Sequence, residues 1–227
     1  MQKAVFFDLD GTVLDTLPDL AKSANYALKE LGYPTQSVET VRMAIGHGIR
    51  NLLRELMNCT DEEELDRCRE IFKEYYDLHK ADTTKPFDGI LELLSNLKQE
   101  GYKLVLISNK YDGATKDLAR KFFGNLFDWA YGSRDNVPAK PDRDLFDLAC
   151  KENNLATDGI IYVGDSEVDC EFASNCDMTL IAVDWGFRTH AQLVEAGAKV
   201  IVSSSKELYN KIKEIYCHSD PSGKSKQ

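Results

Sequence analysis

Lys3-Ala4-Val5-Phe6-Phe7-Asp8-Leu9-Asp10-Gly11-Thr12 decides how the chain is read. The apolar run Ala4 to Phe7 favours β structure and stops abruptly at two acids, so it reads as a buried strand with carboxylates at its C-terminal edge. Asp8 and Asp10 stand at i and i+2, which puts both side chains on one face while the backbone stays extended. Gly11 then allows a sharp turn. Two acids at the mouth of a core strand repel each other and lose hydration, so a cation is expected between them. Plain turn chemistry after a strand is the alternative. An EF-hand calcium loop fits poorly, because Gly11 is fourth counting from Asp8 instead of sixth and a strand precedes it.

Composition narrows the classes open to the protein. The 227 residues, 43% of them hydrophobic, suffice for one large domain or a domain with an insertion. A formal charge of −10 argues against nucleic acid or an anionic membrane as partner, so any bound phosphate must meet a local cationic pocket. No stretch reaches transmembrane length and no secretory leader pattern opens the sequence, so a cytoplasmic location is expected. Cys59, Cys68, Cys150, Cys170, Cys176 and Cys217 make no C-x-x-C pair and no zinc spacing, which predicts free thiols. A monomer or homodimer is expected.

The stretch after Asp15 changes period. Leu17, Leu20, Ala21, Ala24, Leu28 and Leu31 lie at helical spacing, with Pro18 in the first turn and Gly32 as a stop. Ser37 opens a second helical stretch that ends at Gly46, Ile49 to Met57 reads as a third, and Thr60 with Glu63 reads as a capping box before a fourth. Residues 16–82 are therefore an all-helical insert with no strand pattern. From Phe87 onward helices and strands alternate, with strands at Tyr102 to Ile107, Phe127 to Tyr131, Gly159 to Val163, Met178 to Val183 and Lys199 to Val202. The fold class is α/β, a parallel sheet with helices on both faces plus a small helical domain. Residues 1–15 and 83–218 form the core, and the polar segment 219–227 reads as a loose tail.

In an open parallel sheet, ligands bind beyond the carboxyl ends of the strands, where strand order reverses. Asp8 and Asp10, Ser108 and Asn109, and Asp165 all fall at such ends. Three strand ends carrying polar groups point to one shared site.

These residues resemble the haloacid dehalogenase superfamily of phosphotransferases. Asp8-Leu9-Asp10-Gly11-Thr12 resembles its first motif, Ser108-Asn109 its second, Lys140-Pro141 its third and Gly164-Asp165-Ser166-Glu167-Val168-Asp169 its fourth, in that order along Met1 to Tyr216. Arg143 stands where the family usually has a second proline. The resemblance implies a Rossmann-like core and a helical cap of the C1 type. It implies that Asp8 is the nucleophile that becomes an aspartyl phosphate. Asp10, as acid and then base, would serve the leaving group and the water, an arrangement that favours phosphatase or phosphomutase chemistry. Mg²⁺ is implied on Asp8, Asp165 and the Asp10 carbonyl, with Lys140 and Ser108 also catalytic, Ser108, Asn109 and Lys140 on the phosphate, and Asp169 orienting Lys140 or water. Charge explains the need for help. Two unit charges about 4 Å apart repel by about 4 kcal/mol at an effective dielectric near 20. That would slow attack on a phosphate dianion about a thousandfold.

Substrate choice rests on less. Gly46-His47-Gly48-Ile49-Arg50 resembles the specificity loop of the phosphoglycolate phosphatase branch, with Gly46 and Gly48 opening backbone amides to an anion and His47 or Arg50 meeting a second acidic group. It also reads as an ordinary helix-helix turn with a surface arginine. Trp185-Gly186-Phe187-Arg188 resembles the same branch. A small phosphorylated metabolite, phosphoglycolate first, is the expected partner. A phosphomutase or pyrophosphatase of the same superfamily and a catalytically silent metabolite-binding protein are the alternatives.

Overall fold

A computed structural model describes residues 3–218, so the segment 219–227 lies outside the described residues. In chain order the elements are β1 (Ala4–Phe7), β2 (Leu14–Asp15), α1 (Leu17–Glu30), α2 (Val38–Ala44), α3 (Ile49–Met57), α4 (Glu62–His79), β3 (Lys85–Pro86), α5 (Ile90–Gln99) and β4 (Lys103–Tyr111). They continue as α6 (Asp112–Phe123), β5 (Trp129–Ser133), α7 (Asp144–Asn153), β6 (Ile161–Gly164), α8 (Glu167–Asn175), β7 (Thr179–Val183), α9 (His190–Glu195), β8 (Ile201–Val202) and α10 (Ser205–His218).

Alternation along β1 builds the layers. Val5 and Phe7 face one apolar cluster with Leu93 and Leu97 of α5 and Leu208 and Ile212 of α10. Ala4 and Phe6 face the other, with Leu145 and Phe146 of α7 and Phe172 of α8. Each strand residue is thus buried on one side or the other, which is why the strands read as unbroken apolar runs. The sheet order is β5-β4-β1-β6-β7-β8 and the pairings are parallel. After β1 the chain builds β4 and β5 on one flank, then crosses to build β6, β7 and β8 on the other. The reversal therefore sits at β1, whose carboxyl end carries Asp8.

Helices α1 to α4 close a third apolar cluster, which Ala114 of α6 joins and in which Leu28, Leu53, Leu65, Phe72 and Tyr76 are fully or almost fully buried. The chain enters and leaves this unit through β2 and β3, which pair antiparallel as Leu14 with Pro86 and Asp15 with Lys85. Asp19, in the first turn of α1, locks the crossing by accepting from the amides and hydroxyls of Thr83 and Thr84 at 2.6–3.2 Å. Burial acts to raise the Asp19 carboxyl, but these donors outweigh it and hold it below the usual range.

Local expectations differ from the structure at several points. Asp61, not Thr60, caps α4, accepting from the amides of Glu63 and Glu64 at 2.9 and 3.1 Å. A carboxylate at the N-terminus gains from the helix dipole as well as from the hydrogen bonds, which a threonine one residue earlier cannot match. The strand expected at Phe127 to Tyr131 lies at Trp129–Ser133, and β4 continues past Ser108 and Asn109 to Tyr111. β2 and β3 are too short to leave a sequence period. No described helix is long and apolar enough to cross a membrane. The six cysteines are free.

Candidate active site

Asp8 is fixed where β1 stops, its amide donating to the Val163 carbonyl of β6 at 2.9 Å. Gly11 takes φ +82° in the turn that follows, and a Cβ there would run into the Asp165 carboxylate. Only glycine lets the first loop approach the end of β6 that closely. Thr12 Oγ1 donates to Asp165 Oδ1 at 2.8 Å, and the Phe187 amide donates to Asp165 Oδ2 at 2.8 Å. The ends of β1 and β6 and the loop after β7 thereby become one rigid floor.

Lys140 is the cation of that floor. Its Nζ lies 3.0 Å from Asp8 Oδ1 and 2.8 Å from Asp169 Oδ1, and it donates to the Tyr162 hydroxyl at 2.7 Å. Asp169 is saturated: Oδ2 accepts from the Asp165 and Ser166 amides and the Ser166 hydroxyl, and Oδ1 accepts from Lys140 and Tyr162. Ser166 and Asp169 form a capping box for α8. Asp8 Oδ1, by contrast, is buried and receives no well-directed hydrogen bond despite its ion pair.

The charges do not balance. Asp8, Asp165 and Asp169 place ligand oxygens within 4.8 Å of one another, all buried, against one ammonium. Burial drives the Asp8 carboxyl up to about 7, with Lys140 opposing and Asp169 and Asp10 reinforcing the rise. Burial likewise lifts Asp165 well above its ordinary value, with Asp169 and Asp8 adding to it. Burial pushes Asp169 in the same direction, but Lys140, Ser166 and Tyr162 hold it below the carboxylate range. Burial would lower Lys140, and Asp169 and Asp8 together keep it raised. A site of hard oxygen donors short of positive charge fits a small divalent cation. The third carboxylate in reach is Asp169, which has no lone pair to spare, so Asp8 and Asp165 are the side chains free to coordinate.

Asp10 lines the cavity with Asp8. Thr16 Oγ1 donates to its Oδ1 at 2.6 Å, and Lys110 Nζ lies 3.1 Å from its Oδ2. Ser108 is buried within β4, and its Oγ accepts from the Lys110 amide at 3.2 Å. Asn109 spends its side chain on backbone. Its Nδ2 donates to the Gly46 and Lys140 carbonyls and its Oδ1 accepts from the Lys140 amide, each at 2.8 Å. It ties the helical unit to the Lys140 loop, and that amide is not left over for a phosphate.

The Gly46 to Arg50 segment divides. Gly46 and Gly48 line the cavity with Ile49 and Leu52. Gly48, at φ +80°, would bring a Cβ to 3.4 Å from the Asn109 carbonyl, so the loop lies against the core. His47 is exposed and does not line the cavity. Arg50 corrects the sequence expectation: it is drawn away by Glu62 and Asp66 of α4 and does not reach the cavity. Two carboxylates on the neighbouring helix out-compete a distant anion.

Two cations of the cavity wall were not placed by sequence reasoning. Arg188 is buried, pairs with Glu167 at 2.7 and 2.8 Å, and donates to the carbonyls of Arg42, Met43 and Ile45 at 2.9–3.2 Å. It satisfies the open C-terminus of α2 from across the cavity mouth, while Arg42 returns a hydrogen bond to the Phe187 carbonyl. Lys110 follows directly after Ser108-Asn109 and is 8% exposed. Its place directly after Ser108-Asn109, beyond the apolar run Leu104 to Ile107, was the available signal.

The fold and these strand ends define a class, and the sequence profile of haloacid dehalogenase-like hydrolases matches residues 5–183. The chain belongs to that family. A phosphoglycolate phosphatase of Nitrosospira multiformis is 33% identical over 94% of this chain and 95% of its own length. One of Pseudomonas syringae pv. tomato is 28% identical over 92% of this chain and 79% of its own. A crystal structure from Lactobacillus delbrueckii subsp. bulgaricus, described as a candidate phosphoglycolate phosphatase, superposes with TM-score 0.87 at 35% identity, covering 93% of this chain and 99% of that one.

Proposed function

We propose that the protein is a Mg²⁺-dependent phosphatase that hydrolyses a small phosphorylated acid, phosphoglycolate first, through an aspartyl phosphate on Asp8. The observation that carries the reading is Asp8, which lines the cavity together with Asp10 and whose buried Oδ1 lacks a directed hydrogen bond beside Lys140 at 3.0 Å. The relatives named for phosphoglycolate point to the substrate.

Mg²⁺ held by Asp8, Asp165 and the Asp10 carbonyl would neutralise charge on the phosphoryl oxygens. The chain's own groups do the rest. Lys140 holds the Asp8 carboxylate in line and balances part of its charge, and Asp169 and Tyr162 fix Lys140. Ser108 offers its hydroxyl to a phosphoryl oxygen. Asp8 attacks phosphorus as Asp10 passes a proton to the departing alkoxide. Asp10 then takes a proton from the water that attacks the phosphorus of the acyl phosphate, which releases phosphate and restores Asp8. Helices α1 to α4, in residues 16–82, act as the cap that shuts bulk water out of both steps.

Phosphate release from phosphoglycolate, pyrophosphate, sugar phosphates and nucleotides, with Mg²⁺ present, tests the reading. A dominant kcat/KM for phosphoglycolate is expected, abolished in Asp8→Asn. A flat profile across the panel contradicts the substrate, isomerisation of a sugar phosphate without net release turns the reading to a mutase, and release by Asp8→Asn contradicts the nucleophile.

A further inference from the structure

Three cations line the cavity among the described residues: Lys110, Lys140 and Arg188. Two are committed. Lys140 is held by Asp8, Asp169 and Tyr162, and Arg188 by Glu167 and three backbone carbonyls. The helical face of the cavity adds no charge, since Leu20, Ile45, Ile49, Leu52 and Phe72 make it apolar. A substrate that carries a second anion finds no counter-charge there.

Lys110 differs from the other two. Its side chain is 4% exposed, with Asp10 Oδ2 at 3.1 Å, the Tyr76 hydroxyl at 2.9 Å and its Nζ 4.6 Å from the centre of the Tyr76 ring. An ammonium has three donors, and these partners take two, which leaves one for the cavity. Tyr76 belongs to α4 and is itself fully buried, so the helical unit fixes the position of a lysine that the core strand supplies. Asp10 is the group that must meet the ester oxygen, and in a phosphorylated 2-hydroxy acid the carboxylate carbon is two bonds from that oxygen. A cation in contact with Asp10 is therefore within reach of the carboxylate.

We infer that Lys110 is the residue that selects substrates with a carboxylate beside the phosphate ester, and that Tyr76 positions it. The inference rests on the phosphatase reading above and assigns its specificity to a lysine outside the Gly46 to Arg50 loop. An ammonium recognises the carboxylate as a point charge, so short 2-phosphorylated hydroxy acids of slightly different shape are all accepted, while phosphate esters without a second anion are disfavoured.

The test is the ratio of kcat/KM for phosphoglycolate to kcat/KM for ethyl phosphate, which keeps the ester and deletes the carboxylate. In Lys110→Met the ratio falls about a hundredfold, mainly through KM for phosphoglycolate, as expected for loss of a desolvated charge partner. In Tyr76→Phe, which keeps the ring, it falls at least about threefold. A ratio within about threefold of wild type in folded Lys110→Met overturns the inference and leaves the phosphatase reading standing; the carboxylate then belongs to the amides of the Gly46 to Ile49 loop. Should Lys110→Met not fold, an unchanged ratio in Tyr76→Phe overturns it. A wild-type ratio near one contradicts both the inference and the substrate reading, whereas turnover of neither ester contradicts the phosphatase itself.

Discussion

The two walls of the cavity are built on opposite plans. The core wall is polar and cross-braced: Asp8, Lys140 and Asp165 come from three separate loops and Asp169 from the first turn of α8, and Asp169 alone accepts five hydrogen bonds. The helical wall is apolar and is attached to the core by a few long reaches, among them Arg188 to the end of α2, Asn109 to Gly46 and Lys110 to Tyr76. A fixed polar wall suits charge development at one atom, and an apolar wall on a short two-strand crossing suits opening and closing over different substrates. Chemistry sits on the core wall, while selection needs both walls, since Lys110 comes from core strand β4 and Tyr76 of the helical wall fixes it.

The strongest way to break this division is Lys140→Met. It strands Asp8 and Asp169 in a buried site, so phosphate release falls by more than about a thousandfold and stability by about 3–5 kcal/mol, read by kinetics and by denaturant unfolding. A merely weakened enzyme would mean that the polar wall is not interdependent.

Arg188→Ala acts on the attachment between the walls. It frees three carbonyls at the end of α2, and KM should rise about tenfold with little loss in kcat, because closure, not the chemical step, is weakened. An equal fall in kcat and in kcat/KM would assign Arg188 to the reaction instead.

The third prediction follows from charge. The Asp8 carboxyl, raised by burial to about 7 from 3.8, favours the protonated folded state. Its contribution to stability is present in full below pH 4 and is lost as pH rises through 7. Asp165, raised in the same sense, adds to that loss. Mg²⁺ relieves it, so the gain in Tm on adding Mg²⁺ should be larger at pH 8 than at pH 5, measured by differential scanning calorimetry. An equal gain at both would mean that the cation is not bound by these carboxylates.

Arg50→Ala should do least. With Arg50 paired to Glu62 and Asp66 outside the cavity, kcat/KM for phosphoglycolate should stay within about twofold, and stability should fall by about 1 kcal/mol at most. A tenfold loss would return the specificity to the loop that the sequence favours.

The polar wall was largely legible in the sequence because each of its groups ends an apolar run. Asp8 after Phe7 and Asp165 after Gly164 announce themselves by the break in hydrophobicity, and the alternation of strands and helices puts those breaks on one edge. The helical wall was not legible in the same way, because its polar contacts join residues far apart in the chain. Arg50 looks free until α4 folds back with Glu62 and Asp66. Lys110 has no visible role until Tyr76, 34 residues earlier, is laid over it. The two-residue strands β2 and β3 carry no period at all, yet with Asp19 they set where the helical unit hangs. Local pattern reveals groups that sit where an element ends; it misses groups whose role is decided by what packs on them.

The nucleophile is tested most directly by trapping. Wild-type protein mixed with phosphoglycolate and Mg²⁺, quenched in acid within the first turnover and reduced with borohydride, should yield homoserine in place of Asp8, found by mass spectrometry of the peptide containing Phe7 to Thr12. Homoserine at Asp10 or Asp165, or turnover with no reduced aspartate at any position, would contradict the assignment of Asp8 as the residue that accepts the phosphoryl group.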